Sequence, residues 1–186
     1  YNKMTLDLDS YRSFWRKTNE NISCYPEALS FSTMKAGASD EIISELECEL
    51  INCAILSGYS PDRWKKFLDV MILKKSGVTN LSSLRTIVLF PVDCNFAFKH
   101  IGREMMKVAE VTNSLAPEQY GSRKNHRAID LAVCKALTYD LLRQLKRPGA
   151  ICSNDARSCY DVIGHSQASL AMQRNGVPRA AVDCLF

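Results

Sequence analysis

Asp155 stands at the end of a short apolar run. Ala150-Ile151-Cys152 follow the breaker pair Pro148-Gly149, Asn154-Asp155 close the run, and helical periodicity returns beyond Tyr160-Asp161. Small apolar side chains in such a run suit a buried strand. A carboxylate at the carboxyl end of that strand, just before a helix, can reach an open crevice. Its hard oxygens are what Mg²⁺ takes when it also holds substrate phosphates. Tyr160, five residues on, sits where a ring could floor a nucleotide pocket. Read locally, a plainer account is better: Asp155 as a helix N-cap and Asp161 as a first-turn carboxylate facing the helix dipole.

A second set of residues carries positive charge. The 186 residues have a formal net charge of +4, unevenly spread: residues 1–60 sum to −4 and residues 61–186 to +8. The surplus points to a polyanionic partner for the second part. Lys65, Lys66 and Arg85 stand at the ends of a possible hairpin, where they either protect its edge or clamp phosphates. Arg123, Lys124 and Arg127 gather at a helix start, after Gly121, which lets backbone approach a ligand closely. Lys99, Arg103 and Lys107 recur at fours on one helix, ordinarily a solvated stripe.

Composition narrows the class. A hydrophobic fraction of 46% and a charged fraction of 24% describe a soluble globular chain. No apolar run approaches the roughly 18 residues of a membrane span, and no secretory signal is visible. The eight cysteines, Cys24, Cys48, Cys53, Cys94, Cys134, Cys152, Cys159 and Cys184, form no CxxC pair and do not join a histidine at ligand spacing. They read as buried free thiols in an intracellular, reducing compartment, cytoplasmic or nuclear. Both ends look cut rather than finished.

The elements that must position these residues follow from periodicity. Leu8 to Asn21 predicts an amphipathic helix, 23–39 a loop, and Glu41 to Ser57 a helix capped by Asp40, ended by Gly58, with Ile42, Ile43, Leu46, Leu50, Cys53, Ala54 and Ile55 on a broad apolar face. Ser60 caps a short helix with Pro61 at its first position. Leu68–Leu73 and Leu84–Phe90 are strand candidates able to pair around Gly77 and Asn80. Helices are expected from about Cys94 to Thr112, from Arg127 to Lys146 with Ile129, Val133, Ala136, Leu137, Leu141 and Leu145 on one face, and from Val162 to Arg174. The result is an α+β, helix-rich chain: an N-terminal helical region (1–59), a middle region around the hairpin (60–148), and a last region from 149 to 186.

Asn154-Asp155-Ala156-Arg157-Ser158-Cys159-Tyr160-Asp161 resembles the first catalytic motif of retrotransposon-type reverse transcriptases, Asp-x-x-x-x-(Phe/Tyr)-Asp. Trp64-Lys65-Lys66, an apolar strand and Leu84-Arg85-Thr86-Ile87 resemble that family's fingers hairpin. Gln119-Tyr120-Gly121-Ser122-Arg123-Lys124 with Asp130 resembles its Gln-(Phe/Tyr)-Gly-x-Arg segment, with Asn125-His126 where the family often has Gly-Arg. Gly176-Val177-Pro178 matches its Gly-(Ile/Val)-Pro turn. The resemblance implies part of a right-hand polymerase fold: fingers over 60–148 and the start of a palm over 149–186. It also implies RNA-templated DNA synthesis, with RNA template, DNA primer and dNTP as partners. Asp155 and the Ala156 carbonyl would bind Mg²⁺. Arg85, Ala156 and Tyr160 would bind the nucleotide, with Tyr160 excluding a 2′-hydroxyl. Lys65, Lys66, Gln119, Gly121, Arg123, Lys124 and Arg127 would contact nucleic acid. The family's (Phe/Tyr)-x-Asp-Asp motif is absent and no Asp-Asp pair occurs. The expectation is therefore a fragment inactive by itself, or else a non-catalytic nucleic-acid-binding remnant, or a helical scaffold.

Overall fold

A computed structural model of the chain describes residues 4–77, 80–150, 152, 154–155 and 162–186. Seven α-helices and one antiparallel β-hairpin are found among them: α1 (Leu8–Lys17), α2 (Phe31–Gly37), α3 (Glu41–Ser57), β1 (Leu68–Leu73), β2 (Leu84–Leu89), α4 (Val92–Val111), α5 (Ala128–Gln144), α6 (His165–Arg174) and α7 (Arg179–Leu185). The chain is α+β and helix-rich, as its periodicity predicts.

Local chemistry explains most of the boundaries. The Asp40 side chain accepts the Ile43 amide at the start of α3, and Gly58 ends that helix in the left-handed conformation at φ 74°. A Cβ on Gly58 would come within 3.2 Å of the Ala180 carbonyl, so glycine also lets α7 pack against the end of α3. α1 stops at Lys17, short of Asn21, and its start is capped by Asp7. The stretch expected to be loop contains α2, because the Ser30 hydroxyl accepts the Thr33 amide and starts a helix whose Phe31 and Met34 enter the core. Pro61 precedes the 3₁₀ turn Asp62–Lys65 rather than lying inside it. Pro91 leads into α4 two residues earlier than expected.

The core joins α1, α2, α3, α4 and α7. Trp15 and Tyr11 of α1 meet Phe96 of α4, with ring centroids 5.6 and 5.5 Å apart, and Phe31 lies 6.3 Å from Trp15. Two polar pairs tie the N-terminal segment to α3. The Leu6 amide donates to Asn52 Oδ1 at 2.7 Å and the Asn52 amide group returns a bond to the Leu6 carbonyl at 2.9 Å. The Arg12 guanidinium donates to the Ser44 hydroxyl at 2.8 and 2.9 Å.

This packing keeps Ala54 and Ile55 of the expected apolar face of α3 inside and turns the rest of that face outward. Cys48, Ile51, Ala54 and Ile55 face inward with Ser44 and Asn52, whereas Ile42, Ile43, Leu46, Leu50 and Cys53 are exposed. Polar Ser44 and Asn52 go inside because α1 and the N-terminal segment supply their hydrogen-bond partners. No residue of α5 is buried, so its apolar residues also face solvent.

Two further expectations change. Ala150 and Cys152 are exposed and outside any strand, so the buried strand before Asp155 is not formed by the described residues, and Ile151 lies outside them. Cys48, Cys94 and Cys184 are buried thiols, but Cys53, Cys134 and Cys152 are exposed and Cys24 is half-buried. α6 starts at His165 behind Gly164, leaving Val162 and Ile163 exposed.

One carboxylate links the 3₁₀ turn to α4. Asp93 accepts from Arg63 Nε at 2.7 Å, from Arg63 Nη2 at 2.6 Å and from Trp64 Nε1 at 2.6 Å, and its side chain is 11% exposed. Asp93→Ala removes the acceptor of a buried indole N–H and leaves Arg63 unpaired. It is expected to lower unfolding stability by about 3 kcal/mol, measured by denaturant titration; a change within about 0.5 kcal/mol, the range of ordinary surface substitutions, would show that this link is not structural.

Candidate nucleic-acid interface

The hairpin carries the first group of predicted contacts. Leu68 pairs with Leu89 and Ile72 with Arg85, which puts Arg85 beside Ile72 on an exposed ladder. Only Val70 of β1 is partly buried, so most of the side chains on both strands meet solvent. Lys65 is held at the hairpin's foot: Nζ lies 2.8 Å from Asp62 and 5.6 Å from the centre of the Tyr59 ring. Lys66 is exposed and lines a neighbouring cleft.

The loop before α5 carries the second group. Its residues divide into those that build the loop and those left to act outward. Arg123 builds it: Nε and Nη2 each donate to Glu110 at 2.8 Å, and Nη1 donates to the Ala116 carbonyl at 3.1 Å and the Gln119 carbonyl at 3.4 Å. The Arg123 hydrogen bond holds the Glu110 carboxyl below its usual value. Only 13% of the Arg123 side chain is exposed, so its charge is largely answered within the chain. The Gln119 amide donates to the Gly121 carbonyl at 3.2 Å and closes the turn. Ser122 and Asn125 adopt left-handed backbone, at φ 59° and 63°. Arg127 precedes α5, with Nε 3.5 Å from Asp130. Lys124 is exposed and has no ion-pair partner among the described residues.

The structure brings Lys124 to the charged stripe of α4. A shallow groove of about 770 Å³ is lined by Lys99, Arg103, Lys107 and Lys124, with Gly102, Met106 and Val111 as its apolar part. Lys107 also pairs with Glu104, one turn back on α4. Glu110, already paired with Arg123, and Ser122 complete the groove's lining. The spacing of Lys99, Arg103 and Lys107 at fours was the available sequence signal. Their meeting with Lys124 depends on the Arg123–Glu110 bond, which no spacing reveals.

The metal chemistry expected at Asp155 is not assembled by these residues. Asp155 is exposed, with no hydrogen-bond or ion-pair partner among the described residues, and α6 is led in by Gly164. Ala156, Tyr160 and Asp161 lie outside the described residues. Within the described set no three His, Cys, Asp or Glu side chains come together as a metal site. A lone exposed carboxylate does not fit a two-ion Mg²⁺ centre. No contact among the described residues joins Arg85 to Asp155.

Sequence reading missed a cleft of about 550 Å³ between the 25–29 loop, α3, the 3₁₀ turn and α4, where Glu47, Arg63, Lys66 and Asp93 meet. Glu47 Oε2 is buried without a hydrogen-bond partner among the described residues. No family model, curated protein or solved structure matches this chain. No helix among the described residues is long and apolar enough to cross a membrane.

Burial, then the charge of Asp93, raise the Glu47 carboxyl above its ordinary 4.5, against the opposing pull of Arg63. Below 4.5 the group is protonated folded and unfolded, and its contribution to stability is fully present; as pH rises through the raised folded value, that contribution is lost. Glu47→Gln removes this loss. The variant is expected to melt above the parent at pH 7 and level with it near pH 4; equal melting temperatures at both pH values would show that the buried charge carries no penalty.

Proposed function

We propose that this chain is the fingers and opening palm segment of a reverse-transcriptase-like protein, and that it grips nucleic acid along α4. The observation that carries this reading is the single groove in which Lys99, Arg103 and Lys107 of α4 meet Lys124 of the Gln119–Lys124 loop. Two elements distant in sequence converge their cations on one concave surface. A merely solvated stripe needs no such convergence. The antiparallel hairpin with Lys65, Lys66 and Arg85 supports the same reading.

In this reading RNA template and DNA primer lie on the α4 groove and the loop. Arg85, Ala156 and Tyr160 would hold the dNTP, and Asp155 with the Ala156 carbonyl would hold Mg²⁺ only if further carboxylates completed the site. Counterion release makes the affinity fall steeply with salt and largely independent of sequence. A second reading, a scaffold for another protein, draws on a different observation: Ile42, Leu46 and Leu50 of α3 and all of α5 present apolar side chains to solvent.

Fluorescence anisotropy with labelled RNA separates the two. The chain is expected to bind at low salt, and Lys99→Glu with Lys124→Glu to weaken binding by about tenfold or more, each lost phosphate contact lowering the salt slope by about 0.7 on a single strand. Binding that is absent, or that does not change with salt, supports the scaffold.

With primed template, Mg²⁺ and dNTPs, the 186-residue chain is expected to show no incorporation, because one carboxylate cannot hold two ions. Steady incorporation abolished by Asp155→Ala would show that residues outside those described complete a working site.

A further inference from the structure

The α4 groove does not stop at α4. A second groove, of about 720 Å³, lies between α1 and α4, and Arg103 and Lys107 line both. On its far side the second groove is lined by Asp7, Asp9, Ser10, Ser13, Lys17 and Thr18 of α1 and its caps. Arg103 is fixed on the divide: its guanidinium carbon sits 5.4 Å from the centre of the Phe14 ring, a cation–π contact that leaves its edge N–H groups able to donate.

We infer that the two grooves form one track, in which a nucleic-acid strand crosses α4 at Arg103 and Lys107 and reaches Lys17 of α1. The inference rests on the nucleic-acid reading of the first groove and extends it to the N-terminal helical region. That region is acidic overall, at −4 over residues 1–60, yet its charge is polarised along α1. Asp7 and Asp9 lie at the start of the helix, and Arg16 and Lys17 at its end. Asp7 is committed to capping, accepting the Ser10 amide at 2.8 Å. Glu104 also lines the second groove and pairs with Lys107. A phosphate strand is therefore repelled from the Asp7–Asp9 end and drawn along the Lys17 end, where the Ser13 hydroxyl adds a neutral hydrogen-bond donor; the Thr18 hydroxyl is committed to the Phe14 carbonyl at 2.9 Å. This fixes which way the strand leaves α4.

The track has a length. A helix with its side chains is about 10–12 Å wide, and a strand advances about 3.4 Å per nucleotide when stacked. Crossing α4 takes roughly three or four nucleotides, so an oligonucleotide of about 4 cannot occupy both grooves at once, whereas one of about 15 exceeds the roughly 12 needed for two grooves and the crossing.

The experiment uses the full chain with 5′-labelled oligouridylates of these two lengths. Lys17→Gln and Lys17→Glu are compared with Arg16→Gln and Arg16→Glu, the matching charge changes on the same helix at an exposed residue that does not line the groove. The track predicts that both Lys17 variants weaken the long oligonucleotide several-fold, lower its salt slope by about 0.7, and leave the short one unchanged, while the Arg16 variants alter neither slope. Lys17 variants that change nothing, or that weaken both lengths equally, overturn the track. If the Lys17 variants change nothing while Lys124→Glu weakens both lengths, the track is overturned and the first groove stands alone. If the parent chain shows no salt-dependent binding at either length, the nucleic-acid reading itself fails.

Discussion

Asp93 is the constraint on which the middle of the molecule depends. It is a carboxylate with little exposure, and it survives there because three N–H donors from two adjacent residues, Arg63 and Trp64, converge on one of its oxygens. Desolvating a carboxylate is expensive unless its hydrogen bonds are replaced. The replacement comes from the 3₁₀ turn that precedes β1, so satisfying Asp93 also fixes where the hairpin leaves the core. β2 returns through Phe90 and Pro91 directly into α4, whose first turn contains Asp93 itself. The hairpin is thus anchored at both ends by the same few residues, although its strands bury little of their own surface.

The same logic of commitment sorts the basic residues. Arg123 and Lys124 are neighbours in a cationic run, but Arg123 is tied to Glu110 and two carbonyls whereas Lys124 faces outward onto the α4 groove. Their roles are complementary: the planar guanidinium fork holds the loop in place, and the loop so held carries the neighbouring ammonium to α4. Lys65 is likewise engaged by Asp62, and Arg103 by the Phe14 ring. A count of positive charge overstates the free charge, and in the proposed reading the surface that meets a polyanion is the convergence of α1, α4 and the Lys124 loop.

Much of the secondary structure was legible in the residues alone. Asp40 and Gly58 bound α3 because capping and left-handed backbone are local requirements, settled within a few residues. The hairpin was equally legible, since two β-prone runs around a glycine turn find their partner nearby. The loop assigned to 23–39 concealed α2, because a seven-residue helix carries too few turns for periodicity to show and depends on Phe31 and Met34 reaching a core built by other elements. The apolar face of α3 was legible only at Ala54 and Ile55, for a related reason: Ser44 and Asn52 look like solvent residues until Arg12 and Leu6 are placed beside them.

By itself the sequence determined the order of elements, most of their ends, the charge asymmetry and the stripe on α4, all consequences of short-range backbone sterics and helical spacing. Tertiary structure alone decided which faces are inside, which cations are already answered, and which converge. Burial and pairing depend on contacts such as Asp93 with Arg63 and Arg123 with Glu110, whose partners lie 30 and 13 residues apart. For Asp155, proximity in the sequence supplied a motif, while a metal centre requires several hard ligands within one coordination shell, and the described residues assemble no group of three or more such ligands.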